Sequence, residues 1–100
     1  TIICAGAIIQ AGAEIGNGCI INTGATVDHD CKLGDCVHIS PGAHLGGEVS
    51  VGCCTWIGIN AAVIHGISIG ERTVVGAGAA VVSDVASDVT VIGVPAREKQ

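Results

Sequence analysis

Aliphatic residues recur at every sixth position from Ile3 onward: Ile3, Ile9, Ile15, Ile21, Val27, Leu33, Ile39, Leu45, Val51, Ile57, Val63, Ile69, Val75 and Val81. The series runs without an exception. Four residues after each aliphatic the side chain is nearly always small, as at Ala7, Ala13, Cys19, Ala25, Cys31, Ala43, Thr55, Ala61, Thr73 and Ala79. Glycine follows the aliphatic directly at 16, 34, 46, 52, 58, 70 and 76, and Asn22 and Asp28 take that place in two other hexads. Both of those residue types tolerate left-handed backbone, so a turn is expected there. A period of six fits neither the 3.6 of an amphipathic helix nor the 2 of an alternating strand. It fits a short strand and a turn, repeated, as in a hexapeptide β-solenoid.

After Val81 the next sixth position is Ser87, and the tail "SDVASDVTVIGVPAREKQ" reads as irregular. The expected organisation is one β-helical domain over 1–86 and a capping tail over 87–100. The opposite end of the solenoid exposes strand edges, which are association liabilities. An upstream domain is expected to cover it, and none is visible in the chain.

Composition sharpens the picture of the core. Hydrophobic residues make up 49% of the chain, yet Trp56 is the single aromatic and Met, Phe and Tyr are absent. A core filled by Ile, Val and Ala alone implies a narrow, uniform cross-section. The net charge is −5, with only Lys32, Arg72, Arg97 and Lys99 positive, so a nucleic-acid partner is not expected. Glycines interrupt every apolar run, so no transmembrane helix is expected. With no visible secretory leader, the expected location is the cytoplasm. Six cysteines do not make a disulfide scaffold here, because the repeat places Cys19 and Cys31 among the small core positions. Cys31-x4-Cys36 and Cys53-Cys54 also lack zinc-ribbon spacing.

The repeat resembles that of the hexapeptide-repeat family of left-handed parallel β-helices. The resemblance implies three hexads per triangular coil, hence eighteen residues per turn, with coils stacked at ~4.8 Å. It places Gly47 directly over His29 and His65 two coils over it. Cys36 and Cys54 become vertical neighbours, close enough for a disulfide but expected as thiols in a reducing cytosol. His29 and His38, half a circuit apart, fall on different sides of one prism. They share a site only if a second subunit brings another prism alongside, and a threefold assembly suits a three-sided prism.

The stretch "NTGATVDHDC" sets Asp28, His29 and Asp30 side by side at a turn. A histidine flanked by carboxylates suits general-base work, because a carboxylate orients the ring and raises its basicity. His38, in "CVHISPGA", projects outward in the repeat register. His44 has that register too but no identifiable partner, and reads as a surface residue. Trp56 reads as an aromatic buried against a neighbouring subunit. With no side chain at Gly47, its N–H can point at a developing oxyanion. "GAGAAV" at 76–81 is explained by the hexads and is not a dinucleotide fingerprint.

The segments "GCIINTGATVDHDCKLGDCVHISPGAHLGG", "WIGINAAVIHGISIGERTVVGAGAAVVSDV" and "VIGVPAR" look like the C-terminal domain of bacterial sugar acetyltransferases. These are the sialic acid O-acetyltransferase group and the N-acetyltransferases of nucleotide-linked amino sugars. The resemblance implies acetyl-CoA as cosubstrate, no metal, and a sugar or nucleotide-sugar acceptor. It also implies a cytoplasmic homotrimer with sites between subunits. By similarity His29 is the base, Asp30 polarises its imidazole and the Gly47 N–H holds the oxyanion. Asn22, Asp28 and His38 match positions lining the acceptor and acetyl pocket. Gly47, His65, Pro95 and Arg97 fall to the CoA side, with Arg97 a phosphate partner. Transfer to an amine is expected over transfer to a hydroxyl.

Two alternatives stand beside this reading. A zinc enzyme of the gamma carbonic anhydrase type shares the β-helix, and His29 and His65 are spaced like its first ligand pair. Its third ligand position is Gly70. A non-catalytic trimerisation scaffold is the other.

Overall fold

The computed structural model describes residues 1–99. Strands two residues long repeat every six residues, from β1 (Ile2–Ile3) to β14 (Ala80–Val81), followed by β15 (Thr90–Ile92) and β16 (Arg97–Glu98). They form three sheets. The first holds β1, β4 (Ile20–Ile21), β7 (His38–Ile39), β10 (Trp56–Ile57), β13 (Val74–Val75), β15 and β16. The second holds β2 (Ile8–Ile9), β5 (Thr26–Val27), β8 (His44–Leu45), β11 (Ala62–Val63) and β14. The third holds β3 (Glu14–Ile15), β6 (Lys32–Leu33), β9 (Ser50–Val51) and β12 (Ser68–Ile69). The ladders up to β14 are parallel and in register at an offset of eighteen, as in Ile20↔His38 and His38↔Trp56. The result is a left-handed β-helix measuring 34 × 20 × 20 Å. No helix among the described residues is long and apolar enough to cross a membrane.

From β4 to β14 each strand buries its second residue. Ile21, Ile39, Ile57 and Val75 from one sheet meet Val27, Leu45, Val63 and Val81 from the next and Leu33, Val51 and Ile69 from the third. The corners are filled by Ala25, Ala43, Ala61, Ala79, Cys19 and Cys31. So narrow a prism has no volume for an aromatic ring, which explains the composition. The polar atoms drawn into it are mostly partnered. Thr55 Oγ1 donates to Gly70 O at 2.7 Å and accepts from the Thr73 N–H at 3.2 Å. The Cys19 and Cys31 thiols each reach a carbonyl of the coil above, Gly34 O and Gly46 O, at 3.1 Å. Burial pushes the Cys31 thiol up from its ordinary pKa.

The glycines after the aliphatics do a different job from the one expected. Positive φ falls two residues later, at positions such as Asp30, Cys36, Glu48, Cys54 and Asn60. Gly46 and Gly58 are instead squeezed by the next coil. A Cβ at Gly58 would lie 2.6 Å from Val75 O, and one at Gly46 2.7 Å from His65 N. Where Asn22 and Asp28 replace glycine, their side chains accept the following N–H, at 2.8 and 2.7 Å.

The tail also departs from expectation. Val85 bridges Ile69, and Val91 pairs with Val75, so the stack continues past Val81 with two residues deleted from one hexad. The inward series resumes as Val85 and Val91 in a shifted frame, which a fixed count of six steps over. The chain then doubles back as β16, antiparallel to β15. Ala80 O accepts the Ala96 N–H at 2.8 Å and Ala80 N–H reaches Gly93 O at 3.0 Å, so this edge is covered. At the other end Ile2, Ile3 and Ile8 are exposed.

Candidate active site

The corner between the second and third sheets stacks the turns 28–31, 46–49 and 64–67. Their backbones are laddered by Glu48 N–H to His29 O and Gly66 N–H to Gly47 O, both 2.9 Å. The repeat thereby puts His29, Gly47 and His65 in one column. His29 is held from its own turn: its N–H donates to Asp28 Oδ1 at 2.7 Å, and its Nδ1 meets Asp30 Oδ2 at 3.1 Å. With the Nδ1 proton given to Asp30, Nε2 is the ring's free lone pair. That nitrogen sits over Gly47, where a Cβ would fall 2.3 Å from Nε2 and 2.6 Å from Cε1. The Gly47 N–H donates no hydrogen bond among the described residues. The hydrogen bond to Asp30 raises the His29 pKa above its ordinary value; slight burial opposes this, and the charges of Asp28, Asp30 and Glu48 add to it. The His29 and Asp30 side chains are 55% and 61% exposed, so the pair stands at the surface.

Asn22 and His38 form a second cluster on the first sheet. Asn22 Nδ2 lies 3.2 Å from His38 Nε2, and the His38 ring packs on Trp56 with centroids 4.1 Å apart at 51°. Burial lowers the His38 pKa, favouring the neutral ring that accepts from Asn22. Beside it runs an apolar groove of about 270 Å³ lined by Trp56, Ile59, Val74 and Ala77 among others. Ser40 also lines it, and its buried hydroxyl has no partner among the described residues. The sequence reading passed over this groove and over Ser40. The eighteen-residue offset from His38 to Trp56 was legible, but nothing marks a serine whose hydroxyl goes unpaired.

Asp28 therefore stands with His29, while Asn22 stands with His38, on a different side of the prism. Arg97, on β16, lines a cavity of about 350 Å³ with Ser83 and Asp84 of the turn following β14. It thus lies at the C-terminal end of the corner that carries His29, Gly47 and His65, with Pro95 two residues before it. His44 is hydrogen-bonded to Thr26 Oγ1 at 2.7 Å on the outer face of the second sheet. Among the described residues no three His, Cys, Asp or Glu side chains group as a metal site.

Residues 12–47 match the bacterial transferase hexapeptide family (six repeats). No curated protein matches the chain. Among solved structures, the acetyltransferase domain of PglB from Neisseria gonorrhoeae is 43% identical, with a TM-score of 0.94, over 98% of this chain and 51% of that one. A variant of GDP-perosamine N-acetyl transferase from Caulobacter crescentus, in complex with CoA and GDP-perosamine, is 46% identical, with a TM-score of 0.95, over 99% of this chain and 50% of that one. WeeI from Acinetobacter baumannii is 30% identical, with a TM-score of 0.83, over 95% and 56%. The chain spans about half the length of these proteins.

Proposed function

Because this chain is a hexapeptide-repeat β-helix, similar over nearly all its length to the acetyltransferase domain of PglB and to a GDP-perosamine N-acetyl transferase, we propose that it is the catalytic part of an acetyl-CoA-dependent sugar acetyltransferase. The acceptor is a nucleotide-linked amino sugar, and the product an amide. The observation that carries this reading is the His29 ring, fixed by Asp30 with its free Nε2 against Gly47, whose N–H donates no hydrogen bond among the described residues.

A thioester is already activated, so three tasks remain: deprotonate the nucleophile, hold it at the carbonyl, and stabilise the oxyanion. His29 Nε2 takes the proton from the acceptor amine as the nitrogen lone pair attacks the acetyl carbonyl. The carbonyl π electrons move to oxygen, which the Gly47 N–H receives. Collapse of this intermediate expels the CoA sulfur, and the imidazolium returns the proton to it, giving the free thiol. Asp30 holds the tautomer and stabilises the imidazolium.

Asn22 and His38 belong to the same pocket only when a neighbouring prism presents its first sheet to the His29 corner, so the working unit is a homotrimer with interfacial sites. The apolar groove beside Trp56 then faces the acyl and pantetheine portion. Arg97 and Pro95 take the nucleotide end. They lie roughly three coils of ~4.8 Å from His29 along one corner, a span the extended arm of CoA bridges.

The test is acetyl-CoA binding by calorimetry on the chain and on His29→Ala, followed by CoA thiol release with a panel of amino-sugar nucleotides. Binding in both with turnover lost only in the variant is expected. A trimer that binds no acetyl-CoA in either form overturns the reading.

A further inference from the structure

The corner between the third and first sheets carries an arrangement that acetyl transfer does not use. Cys36 and Cys54 occupy the same turn position in successive coils, with φ of 57° and 60°, and both are exposed. Their coils are locked in register by the His38↔Trp56 pairing two residues on. The N–H groups of both are tied to the coil below, Cys36 to Asn17 O at 2.8 Å and Cys54 to Asp35 O at 2.9 Å. Identical backbones one rung apart place the two Cα atoms ~4.8 Å from each other, inside the disulfide window of about 4.4–6.8 Å. The parallel Cβ atoms share that spacing, slightly wider than the 3.5–4.5 Å a relaxed disulfide adopts. A bond closed there carries strain and is easily reduced, the mark of a labile rather than a structural disulfide.

We propose that Cys36 and Cys54 are a reversible redox site, coupling across adjacent coils under a hydroperoxide and parting again under a small thiol. One thiolate attacks a peroxide oxygen; the O–O bond breaks, that sulfur becomes a sulfenic acid, and the other oxygen leaves as water or alcohol. The second sulfur displaces the sulfenic hydroxyl, which departs as water with the second thiol's proton. Each sulfur loses one electron and the peroxide gains two. Desolvation and the neighbouring Cys36 and Cys53 sulfurs raise the Cys54 pKa, as the close approach of these thiols requires. Cys53 is less exposed, and its sulfur faces the Asp35 N–H at 3.3 Å. The site stands independently of the transferase reading, because its test needs no turnover.

Drawing the rungs together at 36 and 54 also pulls on His38 and Trp56, two residues along. Trp56 is the only tryptophan in the chain, so its emission reports the closure. The experiment is stoichiometric hydrogen peroxide on the full chain, read by intact mass, peptide mapping and Trp56 fluorescence, with and without dithiothreitol. A loss of two hydrogens mapped to Cys36–Cys54 is expected, with a shift in Trp56 emission, both reversed by the reductant. Cys53→Ser should behave as the parent. Cys36→Ser, which keeps an exposed position polar, should lose the cross-link and the emission shift while retaining the parent's circular dichroism. A cross-link through Cys53, or sulfinic acid accumulating at both thiols without one, overturns the proposal.

Discussion

At the scale of single residues, the proposed mechanism turns on two atoms: His29 Nε2 and the Gly47 nitrogen. A general base contributes about a hundred- to ten-thousandfold, so His29→Ala should lower kcat by that factor while acetyl-CoA binding persists, as steady-state kinetics and calorimetry will show. The pH profile has a definite sign. As the proposed base, His29 must be neutral to accept a proton, and its pKa is raised, so activity should fall as pH drops through a pKa above the ordinary histidine value. Asp30→Asn removes the largest cause of that shift. It should move the acid limb of kcat/KM to lower pH while lowering the plateau. A limb unmoved by Asp30→Asn would mean that another group titrates. Gly47→Ala places a methyl against the His29 ring. Displacing the base by about an ångström costs on the order of a hundredfold in kcat. Little stability should be lost, since the exposed ring can swing away.

At the scale of the repeat, the molecule depends on how closely one coil rests on the next. Gly58→Ala drives a Cβ into the backbone at Val75 O and Ala77 N, at 2.6 and 2.7 Å. Backbone cannot yield as a side chain does, so a loss of about 1–3 kcal/mol is expected in chemical denaturation. Gly24 meets nothing within 4 Å but has a φ of 67°, so Gly24→Ala should cost only ~1–2 kcal/mol, from backbone strain alone. Asn, which tolerates that conformation, should recover part of the loss. If Asn recovered stability at position 58 as well as it does at 24, the distinction between close approach and left-handed turn would fail. Arg72 grips Asp88 through Nε and Nη2, binding the shifted coil to the one beneath. The guanidinium lowers the Asp88 pKa. The pair's stabilisation is therefore present above the unfolded carboxylate pKa and is lost as pH falls through the lower folded value. Asp88→Asn should melt only slightly below the parent at pH 7, because solvent screens so exposed a pair, with the gap closing in acid.

At the scale of the whole molecule, the separation of His29 from His38 around one prism makes a quantitative demand on the assembly. In a threefold ring whose sites join His29 of one subunit to His38 of the next, His29→Ala and His38→Ala homotrimers are both impaired. Every mixed trimer nevertheless regains one intact site. Random mixing of equal amounts should restore about a quarter of the parental sites. Native mass spectrometry that shows mixed trimers with no regained turnover would place both histidines in the same subunit's site, or His38 outside it.

Ile3 to Val81 spelled out the solenoid because each side chain's inward direction is a local property of its hexad, repeated too often to be mistaken. The stacking of Gly47 on His29 needed, besides the period, the three-hexad coil that the family resemblance implied, and the polar triplet at 28–30 was conspicuous against an apolar chain. Other features came only from tertiary structure. The two-residue deletion before Val85 hid the last coil, since a fixed count steps over a shifted frame. The reason for Gly46 and Gly58 lies in the coil above, eighteen residues away, and not in their own turns. Ser40's unpartnered hydroxyl and the groove beside Trp56 exist only where separate coils meet. A one-dimensional repeat determines which way each residue points. What each residue meets there is decided between coils, by distances that the sequence does not contain.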